Sequence, residues 1–180
     1  MFTYPLDEHA YLKLLEPQDA EGLFHVINSS RTHLRQWLPW VDFNRTADDS
    51  RTFIKHTQKQ FFEQNGFQAG IFYKENLAGV IGFHQIDWSN SSTSIGYWLG
   101  EHYTGQGLMT KACAALVNHA FTYYKLNRVE IRCAARNTKS CAIPERLGFT
   151  KEGVIRDNER IDGRFVDHVV YGMLKREWQE

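Results

Sequence analysis

The chain has no apolar run long enough to cross a bilayer: its longest, such as Ala112 to Val117, fall far short of the ~20 residues a spanning helix needs. It also has no excess of one charge. Lysine plus arginine number 21, aspartate plus glutamate 21, and no basic run occurs, so neither nucleic acid nor an anionic membrane is an expected partner. Any anionic ligand would have to be held by local structure. Cysteine is scarce: Cys113, Cys133 and Cys141 are odd in number and lack C-x-x-C spacing, which argues against a disulfide framework and a zinc cluster. The histidines are scattered without metal-ligand pairing, and no metal site is expected. Met1 to Glu8 lacks a signal-peptide pattern, and repeats, linkers and low-complexity tracts are missing. These absences imply one soluble, cytoplasmic domain over residues 1–180, long enough to bury a full core.

The most informative stretch is Ser94 to Lys111, S-I-G-Y-W-L-G-E-H-Y-T-G-Q-G-L-M-T-K. Strand-forming residues Ile95 to Leu99 lead into a turn with Gly105 and Gly107, and a helical pattern starts at Leu108. The first turn of a helix carries unpaired N–H groups and partial positive charge, so such a loop can hold pyrophosphate, which glycine lets approach the backbone. A P-loop would need Lys then Ser or Thr after Gly107, where Leu108 and Met109 stand; a dinucleotide fingerprint would need a small residue at Thr110. Both fail. Gly105-x-Gly107 after an aromatic strand resembles instead the pyrophosphate loop of acetyl-CoA-dependent N-acetyltransferases.

Around this loop the pattern predicts a strand over His9 to Glu16, a helix from Pro17 to about Asn28, and a short helix stopped by Pro39. Trp37 and Trp40 are expected as core residues, with a cleft-lining role as the alternative. Thr46 is read as the cap of a further helix that ends at Asn65-Gly66. Phe67 to Tyr73, Leu77 to Asp87 and Thr93 to Leu99 read as an antiparallel meander, with a bulge or close backbone approach at Gly96. The helix after the loop shows a buried stripe from Leu108 through Ala112, Leu116 and His119 to Tyr123, His119 being expected as a hydrogen-bonded core histidine. Asn127 to Ala134 alternates as a strand, and the helical crossover makes it parallel to Thr93–Leu99. Asn137 then opens a short helix, and Asp162-Gly163 turns a final hairpin.

The stretch N-T-K-S-C-A-I-P-E-R-L-G-F-T-K-E-G, Asn137 to Gly153, adds a second motif at the right interval after the glycine loop. Together with L-R-Q-W-L-P-W and the terminal E-G-V-I-R-D-N-E-R-I-D-G-R-F-V-D-H-V-V-Y, it resembles the Gcn5-related N-acetyltransferase (GNAT) superfamily over nearly the whole chain, and within it the RimJ/RimL branch that acetylates ribosomal-protein N-termini. The resemblance implies an α+β (mixed α/β) single-domain fold, with a mostly antiparallel sheet splayed into a V and helices on both faces. It implies acetyl-CoA as co-substrate, with pantetheine lying between the strand ending Trp98-Leu99 and the strand Asn127 to Ala134, and with Asn137 bonding the pantetheine. Pyrophosphate would rest on the amides of Gly105, Gln106, Gly107, Leu108, Met109, Thr110 and Lys111. His102 stands where the family usually has Gln or Arg, and Pro144 where many relatives carry a tyrosine general acid. By the same resemblance Glu159 is the general base and Ser140 assists thiolate departure. The expected acceptor is a protein N-terminus, of a ribosomal protein; a small amine such as a polyamine or aminoglycoside, or a non-catalytic acyl-CoA-binding module, are the alternatives. Surface aromatics allow a homo-oligomer.

Pro144 carries one further expectation. It has no N–H for the carbonyl of Ser140, which is therefore expected to face water or CoA rather than a helical donor.

Overall fold

A computed structural model describes residues 3–179. Its eight strands form one sheet in the order β1-β2-β3-β4-β5-β6-β8-β7. These are β1 (Thr3–Pro5), β2 (Ala10–Leu14), β3 (Gln68–Tyr73), β4 (Asn76–Asp87), β5 (Ser92–Leu99), β6 (Arg128–Ala134), β7 (Thr150–Ile161) and β8 (Arg164–Leu174). The helices are α1 (Ala20–Ser29), α2 (Arg31–Leu34), α3 (Ala47–Phe62), α4 (Leu108–Thr122) and α5 (Thr138–Arg146). No helix among the described residues is long and apolar enough to cross a membrane.

Buried on both faces from Leu77 to Phe83, β4 lies at the centre of the sheet. Ile81 and Phe83 pack with Ala112, Cys113 and Leu116 of α4, whereas Val80 and Leu77 join Leu23, Val26 and Ile27 of α1 and Ile54 of α3. Alternating side chains thus supply two cores, and helices cover both faces.

The expected parallel step is present but short. Ser92–Ser94 of β5 pairs with Arg128–Glu130 of β6, and beyond that the strands part, leaving Ile95 to Leu99 with an unpaired edge toward β6. This is the V. Both strands end at ligand-competent segments, β5 at the glycine loop and β6 at Asn137, as open α/β sheets place their sites.

Several local readings hold. Thr46 caps α3 in a reciprocal box with Asp49, and Asp162-Gly163, with φ of 49° and 75°, turns the β7–β8 hairpin. Others need correction. The region before Pro39 is helical only to Leu34, and Pro39 opens a 3-10 turn instead of merely ending a helix. Tyr123 is 71% exposed, just past the end of α4. His119 packs among Phe67, Tyr123 and Tyr124 rings with no hydrogen bond from its own. At Gly96 the close neighbour is the His84 ring, and the irregularity lies on β4 between Phe83 and Ile86. β1 lies outside the predicted strands; three exposed residues carry no hydrophobic alternation to betray it.

Candidate active site

Between the arms of the V lie two cavities that meet at Tyr97, Trp98, Asn137 and Ser140. The first, of about 840 Å³, runs over the loop and the start of α4. Gly105 and Gly107 have φ of 78° and 73°, conformations natural to glycine, and a Cβ built on either meets nothing within 4 Å. Gly107 caps α4 without a side chain, so the first-turn amides of Leu108, Met109 and Thr110 open onto this space. Arg146 of α5 reaches across and donates from Nη1 to Thr110 Oγ1 at 2.7 Å, adding a fixed positive charge. Backbone donors, a helix N-terminus and a guanidinium suit a diphosphate. Lys111 lines the cavity too, although its ammonium is paired with Asp7 at 2.5 Å. Gln106 does not line it; its side chain turns back to the His102 carbonyl.

Ser140 stands where the cavities join. Asn137 caps α5, its Oδ1 accepting the Ser140 N–H at 3.2 Å. Pro144 lies inside α5, so the Ser140 carbonyl has no helical donor, and the Tyr97 hydroxyl donates to it at 3.0 Å. The carbonyl without a helical donor was expected; the protein partner it finds is a side chain of β5. Tyr97 thereby ties β5 to α5 across the V. Burial, with Cys133 close by, holds the Tyr97 phenol well above its ordinary range, so it remains a donor. Tyr97→Phe is expected to cost about 0.5–1.5 kcal/mol, the loss of a hydrogen bond to a part-buried carbonyl, read as a lower denaturant midpoint. An unchanged midpoint would mean that water replaces the phenol.

The second cavity, of about 660 Å³, has an aromatic wall from Trp37, Trp40, Phe43, Phe53 and Trp98. The Trp40 and Trp98 rings lie 5.7 Å apart. Trp37 and Trp40 thus take the cleft-lining role rather than the core one. Opposite this wall stand Glu159 of β7 and His168 of β8, with His168 Nε2 3.0 Å from Glu159 Oε2. Cys133 also lines the cavity, but burial, partly offset by a hydrogen bond from Ser140, pushes its thiol up to about 12. At neutral pH it is a thiol, not a thiolate nucleophile.

Of the residues singled out in the sequence, Trp98, Asn137 and Ser140 border both cavities, Leu99 the first, and Glu159 the second. Arg146 and His168 were not singled out. His168 was legible in principle, because counting back from Asp162-Gly163 sets Glu159 opposite Val166, two residues from His168 on the same face.

A family model described as an acetyltransferase (GNAT) domain matches residues 9–150. The chain belongs to the GNAT acetyltransferase family. It is 41% identical over 180 residues, 99% of this chain and 98% of the relative, to the putative ribosomal N-acetyltransferase YdaF of Bacillus subtilis (strain 168). Among solved structures, the Microcin C7 self-immunity acetyltransferase MccE in complex with acetyl-CoA and AMP superposes with TM-score 0.90 at 30% identity, over 94% of each chain. RimL, a ribosomal L7/L12 alpha-N-protein acetyltransferase in complex with coenzyme A, superposes with TM-score 0.92 at 25% identity, over 96% of this chain and 98% of RimL. The single GNAT fold with its splayed mixed sheet and the N-acetyltransferase activity are thereby established.

Proposed function

We propose that this GNAT enzyme transfers acetyl from acetyl-CoA to the α-amine of a protein N-terminus, in the manner of the ribosomal-protein acetyltransferases it is similar to. The observation that carries this reading is the meeting of a diphosphate-fitted cavity with a carboxylate-bearing cavity at Ser140 and Trp98. In it, the amides of Gly105 to Lys111 and the Arg146 guanidinium hold the CoA diphosphate, and the Asn137 side-chain amide bonds the pantetheine. The unpaired edge of β5 near Leu99 supplies an N–H to polarise the thioester carbonyl.

The amine nitrogen attacks the carbonyl carbon, an N–C bond forms and the C–S bond breaks. Glu159 takes the amine proton, directly or through water, and Ser140 Oγ donates a hydrogen bond to the departing thiolate. Direct attack fits the Cys133 thiol, which its environment keeps protonated and so disfavours as an acyl carrier. An α-amino group has pKa about 7.7–8.0 against about 10.4 for lysine, so at neutral pH a single carboxylate base has far more neutral α-amine to work with.

A second reading rests on the aromatic wall. The MccE structure holds AMP with acetyl-CoA, and Trp37, Trp40 and Phe53 here would suit a small amine carrying a flat ring. Labelled acetyl-CoA and two peptides test the amine class, one with a free α-amine and blocked lysine, the other the reverse. Label on the α-amine alone is expected. Label on the lysine peptide alone, or on neither while a nucleotide-linked amine is acetylated, would overturn the main reading.

A further inference from the structure

Adjacent side chains on a regular strand point to opposite faces. Asn158 and Glu159 are adjacent on β7, yet both bond the same imidazole: Asn158 Nδ2 lies 3.1 Å from His168 Nδ1, and Glu159 Oε2 lies 3.0 Å from His168 Nε2. A bulge makes this arrangement possible. The register runs from Ile155 opposite His168 to Glu159 opposite Val166, so β7 spends three intervening residues where β8 spends one. Asp157, at the middle of that excess, is left-handed with φ of 49°, and its N–H is held by Asp167 Oδ1 at 2.8 Å. A bulge of this kind re-aims side chains.

The hydrogen-bond roles follow in order. The Asn158 amide nitrogen can only donate, so His168 Nδ1 accepts. The neutral ring therefore carries its proton on Nε2 and donates it to Glu159. His168 is 14% exposed at its side chain and Glu159 36%, so the donor sits behind the carboxylate and the carboxylate stands at the cavity.

From this we infer that His168 is a positioning residue for Glu159: it donates from Nε2 to Oε2, fixes the carboxylate in the acceptor cavity and leaves Oε1 for the substrate amine, while Asn158 fixes its tautomer and the Asp157–Asp167 clamp fixes the bulge. The catalytic part of this inference rests on Glu159 being the base; the contact itself does not. Other charged or titratable groups facing the pair are Arg132 of β6, His84 of β4 and Asp49 of α3 across the cavity, with Asp157 and Asp167 on the flanking strands. Arg132 is already engaged by Glu130 at 2.5 Å, which leaves His168 as the donor on Glu159.

Nuclear magnetic resonance of the protein carrying isotope-labelled histidine tests the contact without any substrate. In its neutral form His168 is expected as the Nε2–H tautomer, with an Nε2 resonance that moves in Glu159→Gln. The Nδ1–H tautomer, or an Nε2 resonance indifferent to that substitution, would overturn the inference. Kinetics test the consequence. His168→Phe is expected to lower kcat by on the order of 10- to 100-fold through a misplaced base, with KM for acetyl-CoA unchanged. His168→Gln, which keeps an N–H near the Nε2 position, is expected to restore much of kcat. If Glu159→Gln abolishes turnover but His168→Phe leaves kcat unchanged, the positioning role falls and the base survives. If Glu159→Gln is fully active, the base assignment falls and takes the catalytic role of His168 with it, whatever the resonance shows.

Discussion

Glu159→Gln is expected to lower kcat on the acceptor amine by on the order of 10²–10⁴-fold, the range associated with a positioned general base. Affinity for acetyl-CoA should not change, because Glu159 lines only the acceptor cavity, away from the glycine loop. Glutamine retains the shape of glutamate and an oxygen able to accept from His168, so the fold of the β7–β8 hairpin should persist. What it loses is a site for the proton. Attack still needs the neutral amine, of pKa about 7.7–8.0, so residual activity in the variant should rise with pH as the free amine fraction grows. A variant with normal kcat and a raised KM for the acceptor would instead make Glu159 a binding carboxylate.

Gly107→Val is expected to weaken CoA binding by on the order of 10- to 100-fold, equivalent to about 1.4–2.8 kcal/mol. A branched side chain there would project into the open space from which the amides of the α4 first turn are reached. The left-handed φ of 73° adds a cost of about 1–2 kcal/mol to the fold itself, seen as lower thermal stability without ligand. Isothermal titration with CoA reads the first effect and thermal denaturation the second. Undiminished affinity would remove the diphosphate from this loop.

Much of this architecture is legible because periodicity and glycine placement are local signals. The meander from Gln68 to Leu99, the crossover through α4 and the Asp162-Gly163 hairpin each follow from a short pattern and one topological rule. Pro144 even announces the free Ser140 carbonyl. Its partner is illegible for a plain reason: Tyr97 lies 43 residues away, and only the splaying of β5 from β6 sets its hydroxyl under α5. The same holds for Arg146, whose meeting with Thr110 depends on how α5 packs beside α4. His168 is an intermediate case. Strand alternation puts it on the Glu159 face, but the bulge that brings Asn158 to its other nitrogen leaves no pattern in composition, since Asp157 is not the glycine a left-handed residue would suggest. The aromatic wall was visible as residues and not as a wall, because the Trp37–Trp40 stretch, Phe53 of α3 and Trp98 of β5 come from separate segments that converge only in the fold.

The most direct measurement incubates the protein with labelled acetyl-CoA and a ribosomal extract, Glu159→Gln alongside, and locates the label by mass spectrometry. One dominant protein acetylated at its N-terminal α-amine, with the label lost in the variant, is the predicted result. Label confined to lysine side chains or to the small-molecule fraction would contradict it.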